Sequence, residues 1–167
     1  MKSFGMFLIV LCGAFIGVLF KIKNDNKLKK TAIILDMLND IKTKMKSSLF
    51  STREIFISLS ENSQYDSLEF IKKCVHYLKD NNNFPTAYKK ALDESDFDVS
   101  KSIRDMLFSL GNHLGTTDID GQLSYIKLFE NHLKKEHDEL SKQNSKMGNM
   151  YLSFGLLAGL AVAVLLY

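Results

Sequence analysis

Two stretches of this chain carry no charged residue, and they stand at its two ends: Phe4 to Phe20, seventeen residues, and Met150 to Tyr167, eighteen residues. Nearly every charge lies between them, so the mean hydropathy of −0.06 averages two extremes. The hydrocarbon core of a bilayer is about 30 Å thick and takes roughly 17–25 apolar residues of helix. Both runs reach that lower bound, and Lys2 and Lys21 can lengthen the first by stretching back to the interface. The expected layout is a transmembrane helix over 1–21, a helical domain over 22–149 and a second transmembrane helix over 150–167. Met1-Lys2-Ser3 would also suit the start of a signal peptide. The run ends in Val18-Leu19-Phe20-Lys21, however, with no small-x-small cleavage site. Cys12 follows Leu11 in mid-run rather than a small residue, which does not fit a lipoprotein signal. The first run therefore reads as an uncleaved anchor. The second holds no polar group besides Ser153 and two tyrosines, which argues against an ordinary buried helix.

Charge orients this layout. Lys21, Lys23, Lys27, Lys29 and Lys30 follow the first run against one acidic residue, Asp25, and Lys134, Lys135, Lys142 and Lys146 precede the second. Lysine and arginine favour the cytoplasmic side, so the middle domain is expected in the cytoplasm with both termini across the membrane. An isoelectric point near 8.7 could suggest nucleic acid. The basic excess lies against the apolar runs, where anionic lipid headgroups are the natural counter-charge. Lys72, Lys73, Lys89 and Lys90 lack interleaved aromatics and read as solvent-facing charge. Cys12 and Cys74 fall on opposite sides of a predicted membrane boundary, form no disulfide framework and read as apolar fillers.

The middle reads as helices throughout, with one proline and no alternating apolar run bounded by hairpin turns. Ile34, Leu38, Ile41 and Met45 make an apolar stripe on a helix that can run straight out of the first span. Ser51-x-x-Glu54 is a capping box before a short helix bearing Ile55 and Leu59. Asp66-x-x-Glu69 is expected to open another, with Leu68, Ile71, Val75 and Leu78 as its stripe. After Asn81-Asn82-Asn83, Pro85 suits the first turn of a helix packed through Ala87, Tyr88, Ala91 and Leu92. Asp96 to Ser100 is a polar connector, and Ile103, Met106, Leu107, Leu110 and Leu114 form a fifth stripe. From Asp118, the residues Leu123, Ile126, Phe129, Leu133, His137 and Leu140 keep heptad-like spacing. That last helix either continues directly into the second span, a rod of roughly 70 Å at 1.5 Å per residue, or breaks near Asn144 to Asn149.

No constellation of catalytic type stands out. A phosphate-cradling glycine loop, a Gly-x-Ser-x-Gly elbow and a metalloprotease histidine pattern are all missing from the sequence. Glu130, His132, Glu136 and His137 are close in sequence, but a helix brings only His132 and Glu136 together, too few for a metal. They read as a solvated face with helical ion pairs. Both apolar runs carry small residues at a four-residue step, Gly13 and Gly17 in the first and Gly155, Gly159 and Ala163 in the second. Such residues let helices approach closely in lipid. Between the last two amphipathic helices, Leu110-Gly111-Asn112-His113-Leu114-Gly115-Thr116-Thr117-Asp118-Ile119-Asp120-Gly121-Gln122 reads as a corner. Gly111 and Gly115 end one helix as C-caps do, and Thr117 or Asp118 caps the next.

This corner, taken as Leu110-Gly111-x-x-Leu114-Gly115-x-x-Asp118 followed by Gln122, is where a resemblance enters. With the long amphipathic helix, Lys146-Met147 and Phe154-Gly155-Leu156-Leu157-Ala158-Gly159-Leu160 behind it, the chain closely resembles the stage III sporulation protein AB family. The resemblance covers essentially the whole chain: its length, an apolar span at each end and a six-helix middle. The N-terminal half matches by pattern more than by residue. The resemblance implies an all-α fold, a small bundle of about six helices flanked by two transmembrane helices and similar to the cytoplasmic domains of platform proteins of type II secretion and type IV pilus systems. It implies a non-catalytic platform or adaptor of the secretion-like channel complex between mother cell and forespore, needed for endospore formation. The implied location is the mother-cell membrane surrounding the forespore. Partners would be other subunits of that complex, a cytoplasmic secretion-type ATPase among them, and the lipid bilayer, with no nucleic acid. No cofactor, metal or catalytic residue is carried over. Leu110, Gly111, Leu114, Gly115, Asp118 and Gln122 are the candidate partner-binding or corner residues. A membrane-anchored sensor using the last helix as a signalling rod is the alternative, and an enzyme would need converging ionisable groups.

Overall fold

The computed structural model describes the backbone of residues 2–47, 50–80, 82–96, 98–116 and 118–166, and the side chains of those lying within 22–145 apart from residue 23. The fold is all-helical: α1 (Lys2–Lys46), α2 (Thr52–Glu61), a 3-10 turn (Ser63–Tyr65), α3 (Glu69–Lys79), α4 (Phe84–Asp93), α5 (Lys101–His113) and α6 (Ile119–Leu166). Among the described residues there is no strand. The chain divides into two compact units: a body, Lys29–Glu136, and a terminal unit made of Met1–Leu28 with His137–Tyr167.

The body is built from the stripes read above. Ile34, Met37, Leu38, Ile41 and Met45 of α1, Ile103, Leu107 and Leu110 of α5, and Ile126, Phe129 and Leu133 of α6 are all buried in one core. α3 packs against α2 and α4, and α4 against α5. Three of the short helices, α2, α4 and α5, start where a side chain accepts an otherwise unpartnered backbone N–H. Ser51 and Glu54 form the complete reciprocal capping box of α2. The Asn83 side chain accepts from Thr86 N at 3.1 Å, and that of Ser100 from Ile103 N at 3.1 Å. The helix ends use cations: Arg53 donates to Leu78 O at the end of α3, and Lys73 donates to Glu94 O, just past α4, at 2.8 Å. A cation there meets both the orphan carbonyls and the negative end of the helix dipole.

The start of α3 differs from expectation. Asp66 does not cap it: the helix begins at Glu69 after Leu68, with no side-chain cap bond. The 3-10 turn carries the chain past Asp66, whose carboxylate pairs instead with Lys72 at 2.8 Å, while Leu68 is fully buried. Core packing of Leu68 at the cap position decides where this helix opens.

α1 and α6 are also held together by polar contacts inside the body. Lys42 forms an ion pair with Glu130, whose side chain is only 7% exposed. α1 further receives the Tyr65 hydroxyl, donated to Asp40 Oδ2 at 2.7 Å, and the Gln64 amide, donated to Asp36 Oδ2 at 2.9 Å.

In the terminal unit the same two helices meet through Asn144 Nδ2, which donates to Asp25 Oδ1 at 2.8 Å. α6 is helical throughout Ile119–Leu166, with no break near Asn144 to Asn149. Among the described residues no helix is long and apolar enough to cross a membrane. The two expected spans, 1–21 and 150–167, fall on residues whose side chains lie outside the described set, and two-span topology stands as a proposal. Gly13 and Gly17 fall in α1 and Gly155, Gly159 and Ala163 in α6; their surroundings likewise lie outside the described residues.

Candidate partner-binding corner

The turn from α5 to α6 is built around one left-handed residue. α5 ends at His113 with Leu114 as C-cap, whose N–H donates to Leu110 O. Gly115 then takes φ +75°, a conformation that side-chain-bearing residues rarely adopt. Its N–H donates to Gln122 Oε1 at 3.1 Å, and Gln122 N donates to Asp118 O at 3.0 Å. Gln122 is 6% exposed, so it ties the first turn of α6 to the end of α5 from the inside. Asp118 holds the N-cap position of α6 and is exposed; Thr117 lies outside the described residues.

Gly111 plays a different part from the one its spacing suggests. It lies inside α5, not at its end. A Cβ there would overlap the ring of Tyr88, coming within 2.7 Å of Cε1. Gly111 is therefore a close-approach residue that lets α5 settle on α4, and only Gly115 serves the turn.

Tyr88 is the floor of the corner. Its ring meets Phe56 at 5.6 Å and Phe70 at 5.7 Å edge-on, and Phe84 at 5.6 Å. Its hydroxyl is buried with no hydrogen-bond partner among the described residues, and burial raises its pKa well above the usual value. On the α6 side, His113 stacks on Tyr125 with centroids 4.2 Å apart, and Tyr125 donates to Met106 O at 3.2 Å. Tyr88 is expected from the sequence as a packing residue of its helix, but its approach to Gly111 and the stacking of His113 on Tyr125 are not. Nothing in the local spacing marks a residue whose partner lies more than ten positions away.

Of the six corner residues, Leu110, Gly111, Leu114 and Gln122 are thus interior and fix its shape. What the corner shows to solvent is Asn112, Gly115, Thr116, Asp118, Ile119 and Asp120. Ile119 is half exposed, at 50%, between two carboxylates.

One arrangement with catalytic residue types also forms. Ser102 Oγ and His132 Nε2 are 2.7 Å apart, and Glu136 Oε2 lies 3.5 Å from the same nitrogen. In a serine-type relay the carboxylate holds Nδ1 while the serine faces Nε2. Here both converge on Nε2, so the carboxylate does not set the tautomer that would take the serine's proton. Glu130 is engaged by Lys42. Among the described residues no group of three or more His, Cys, Asp or Glu is placed to hold a metal ion. Three of the basic residues of α3 and α4 are used locally: Lys72 on Asp66, Lys73 on Glu94 O, and Lys90 4.2 Å over the Tyr77 ring.

Against known proteins, the model of the stage III sporulation protein AB family matches residues 2–167. The chain belongs to that family. No curated protein and no solved structure matches it. The family implies a role in sporulation.

Proposed function

We propose that this chain is a non-catalytic membrane platform of the secretion-like complex between mother cell and forespore, required for endospore formation. The two charge-free runs anchor it in the mother-cell membrane around the forespore. The helical body faces the cytoplasm, and both termini lie on the other side. Its partners are the other subunits of the complex, with a cytoplasmic secretion-type ATPase meeting the corner.

The observation that carries this reading is the family match over essentially the whole chain, since it takes in both apolar runs and the body together. The corner supports it: its interior is over-determined by Gly115, Gln122 and the Gly111–Tyr88 approach, while its rim is left to solvent. An interior locked in this way holds a recognition surface in one shape, which lowers the ordering cost of binding. The Ser102–His132–Glu136 geometry supports the absence of acyl-transfer chemistry there.

A deletion strain tests the reading. It is expected to grow as its parent does and to stall after engulfment of the forespore. Sporulation at the parental level would overturn it.

A further inference from the structure

Phe50 and Ile119 are sixty-nine residues apart in sequence, yet the fold brings them to one end of the body. The contact that joins them lies between Thr52 and Gly115: a Cβ on Gly115 would stand 3.4 Å from Thr52 Oγ1. Phe50 precedes Thr52 by two residues, and Ile119 follows Gly115 by four. Two residues of chain reach at most about 7 Å and four at most about 14 Å. Phe50, 46% exposed, and Ile119, 50% exposed, therefore flank one seam. A phenyl ring and a branched aliphatic chain left half in water at the same place mark an interaction surface better than either does alone.

The two sides of the seam differ in charge. On the Phe50 side the last turn of α1 carries Lys44 and Lys46. The Lys44 ammonium lies 5.7 Å from the centre of the Phe50 ring, and Lys46 is exposed. On the Ile119 side stand the exposed carboxylates of Asp118 and Asp120. The charges nearest Thr52 are engaged within the body: Glu54 accepts from Ser51 N at 2.7 Å, and Arg53 donates to Leu78 O. The free charge of this surface is thus positive at one side and negative at the other.

We propose that Phe50 and Ile119 are paired anchors for one protein partner. Its matching surface has an apolar centre, carboxylates on the side that meets Lys46, and lysine or arginine on the side that meets Asp118 and Asp120. The inference rests on the partner-binding reading of the corner and deepens it. It adds Phe50, at the entrance to α2, as the second half of the surface, and it states the chemistry of what covers it. Apolar anchors at the centre supply affinity, and opposed charges at the two sides admit the partner in one orientation. A partner of uniform charge would meet repulsion at one side.

The test titrates the full chain in lipid nanodiscs with the purified cytoplasmic ATPase of the complex, the partner proposed for the corner. The parent is expected to bind it, more weakly as salt rises. F50E, F50S and I119E are each expected to weaken binding by about tenfold or more. K46Q/D120N should weaken it and remove most of the salt dependence. L128E is the control: Leu128 is 60% exposed but lies nine residues beyond Ile119, about two and a half turns, and so on the opposite side of α6. It should bind as the parent does. Every substituted side chain is exposed, so all the variants should melt with the parent. Undiminished binding by F50E and F50S, full salt dependence in K46Q/D120N, or an equal loss in L128E overturns the inference and leaves the ATPase reading standing. Failure of the parent to bind the ATPase overturns both.

Discussion

A side chain on Gly115 would meet Thr52 Oγ1 at 3.4 Å, an ordinary contact, so space does not demand glycine there; φ +75° does. Gly115→Val is expected to destabilise the body by more than about 1 kcal/mol, because a β-branched residue is strained at positive φ. A melting midpoint equal to the parent's would show that the turn relaxes freely. Gly111 answers to space instead. Gly111→Ala drives a methyl into the Tyr88 ring, and overpacking of this kind costs about 1–3 kcal/mol. Tyr88→Phe is expected to leave stability unchanged or raised, since the hydroxyl is buried without a partner and an unsatisfied polar group costs about 1–3 kcal/mol. A clear loss in urea unfolding would reveal a hydrogen bond that this geometry lacks. The sequence motif marks both glycines as special, but it cannot tell a backbone demand from a packing demand. The second depends on Tyr88, twenty-three residues earlier, and no local spacing carries that information. Burial pushes the Cys74 thiol up to about 12, above an ordinary thiol near about 8.5. The folded state therefore holds that proton more tightly than the unfolded one. This contribution is full below the ordinary value and is lost as pH rises toward about 12. Cys74→Val is expected to flatten the fall in urea midpoint between about pH 8 and about pH 10.

The helices themselves were the legible level. The five stripes read from apolar spacing ahead of the last helix became buried faces, with Val75 and Met106 only partly buried, because a 3.6-residue period and a single core leave such residues one place to go. The Ser51–Glu54 box formed as written, and Ser51→Ala is expected to cost about 1 kcal/mol. The Asp66–Glu69 box did not form, although its pattern is as good. A capping motif acts locally, and here burial of Leu68 and the pull of Lys72 outweighed it. The Lys42–Glu130 pair was not legible either, since its members are eighty-eight residues apart. Its two ends differ in exposure, 27% for the lysine side chain against 7% for the glutamate. Lys42→Met strands a carboxylate with little access to water, whereas Glu130→Met leaves a lysine that can extend to solvent. The lysine substitution is therefore expected to destabilise the body more than the glutamate one. Urea unfolding of the two variants compares them, and equal losses would mean that Glu130 reaches water by another route.

At the scale of the whole molecule, the layout rests on where charge stops. Lysines crowd the inner ends of both apolar runs and are missing after Met150, so a cysteine placed at Asn82 should resist a membrane-impermeant thiol reagent in intact cells while one placed at Tyr167 reacts. The reverse pattern would invert the topology. The all-helical fold could be read from sequence because it rests on apolar periodicity, and the family because the corner and the C-terminal motifs together resemble it. The inward-facing role of most of that motif could not, because burial is a property of the assembled core. That difference relocates the proposed contact with a partner from Leu110 and Leu114 to the rim around Ile119. The central claim, that the chain serves sporulation by presenting this corner, is tested most directly by heat-resistant spore counts in a host carrying the variant I119E. The Ile119 side chain is half exposed and an acidic residue suits the first turn of a helix, so the variant is expected to melt with the parent and accumulate normally, yet to yield far fewer spores. Parental spore counts from that strain would contradict the claim.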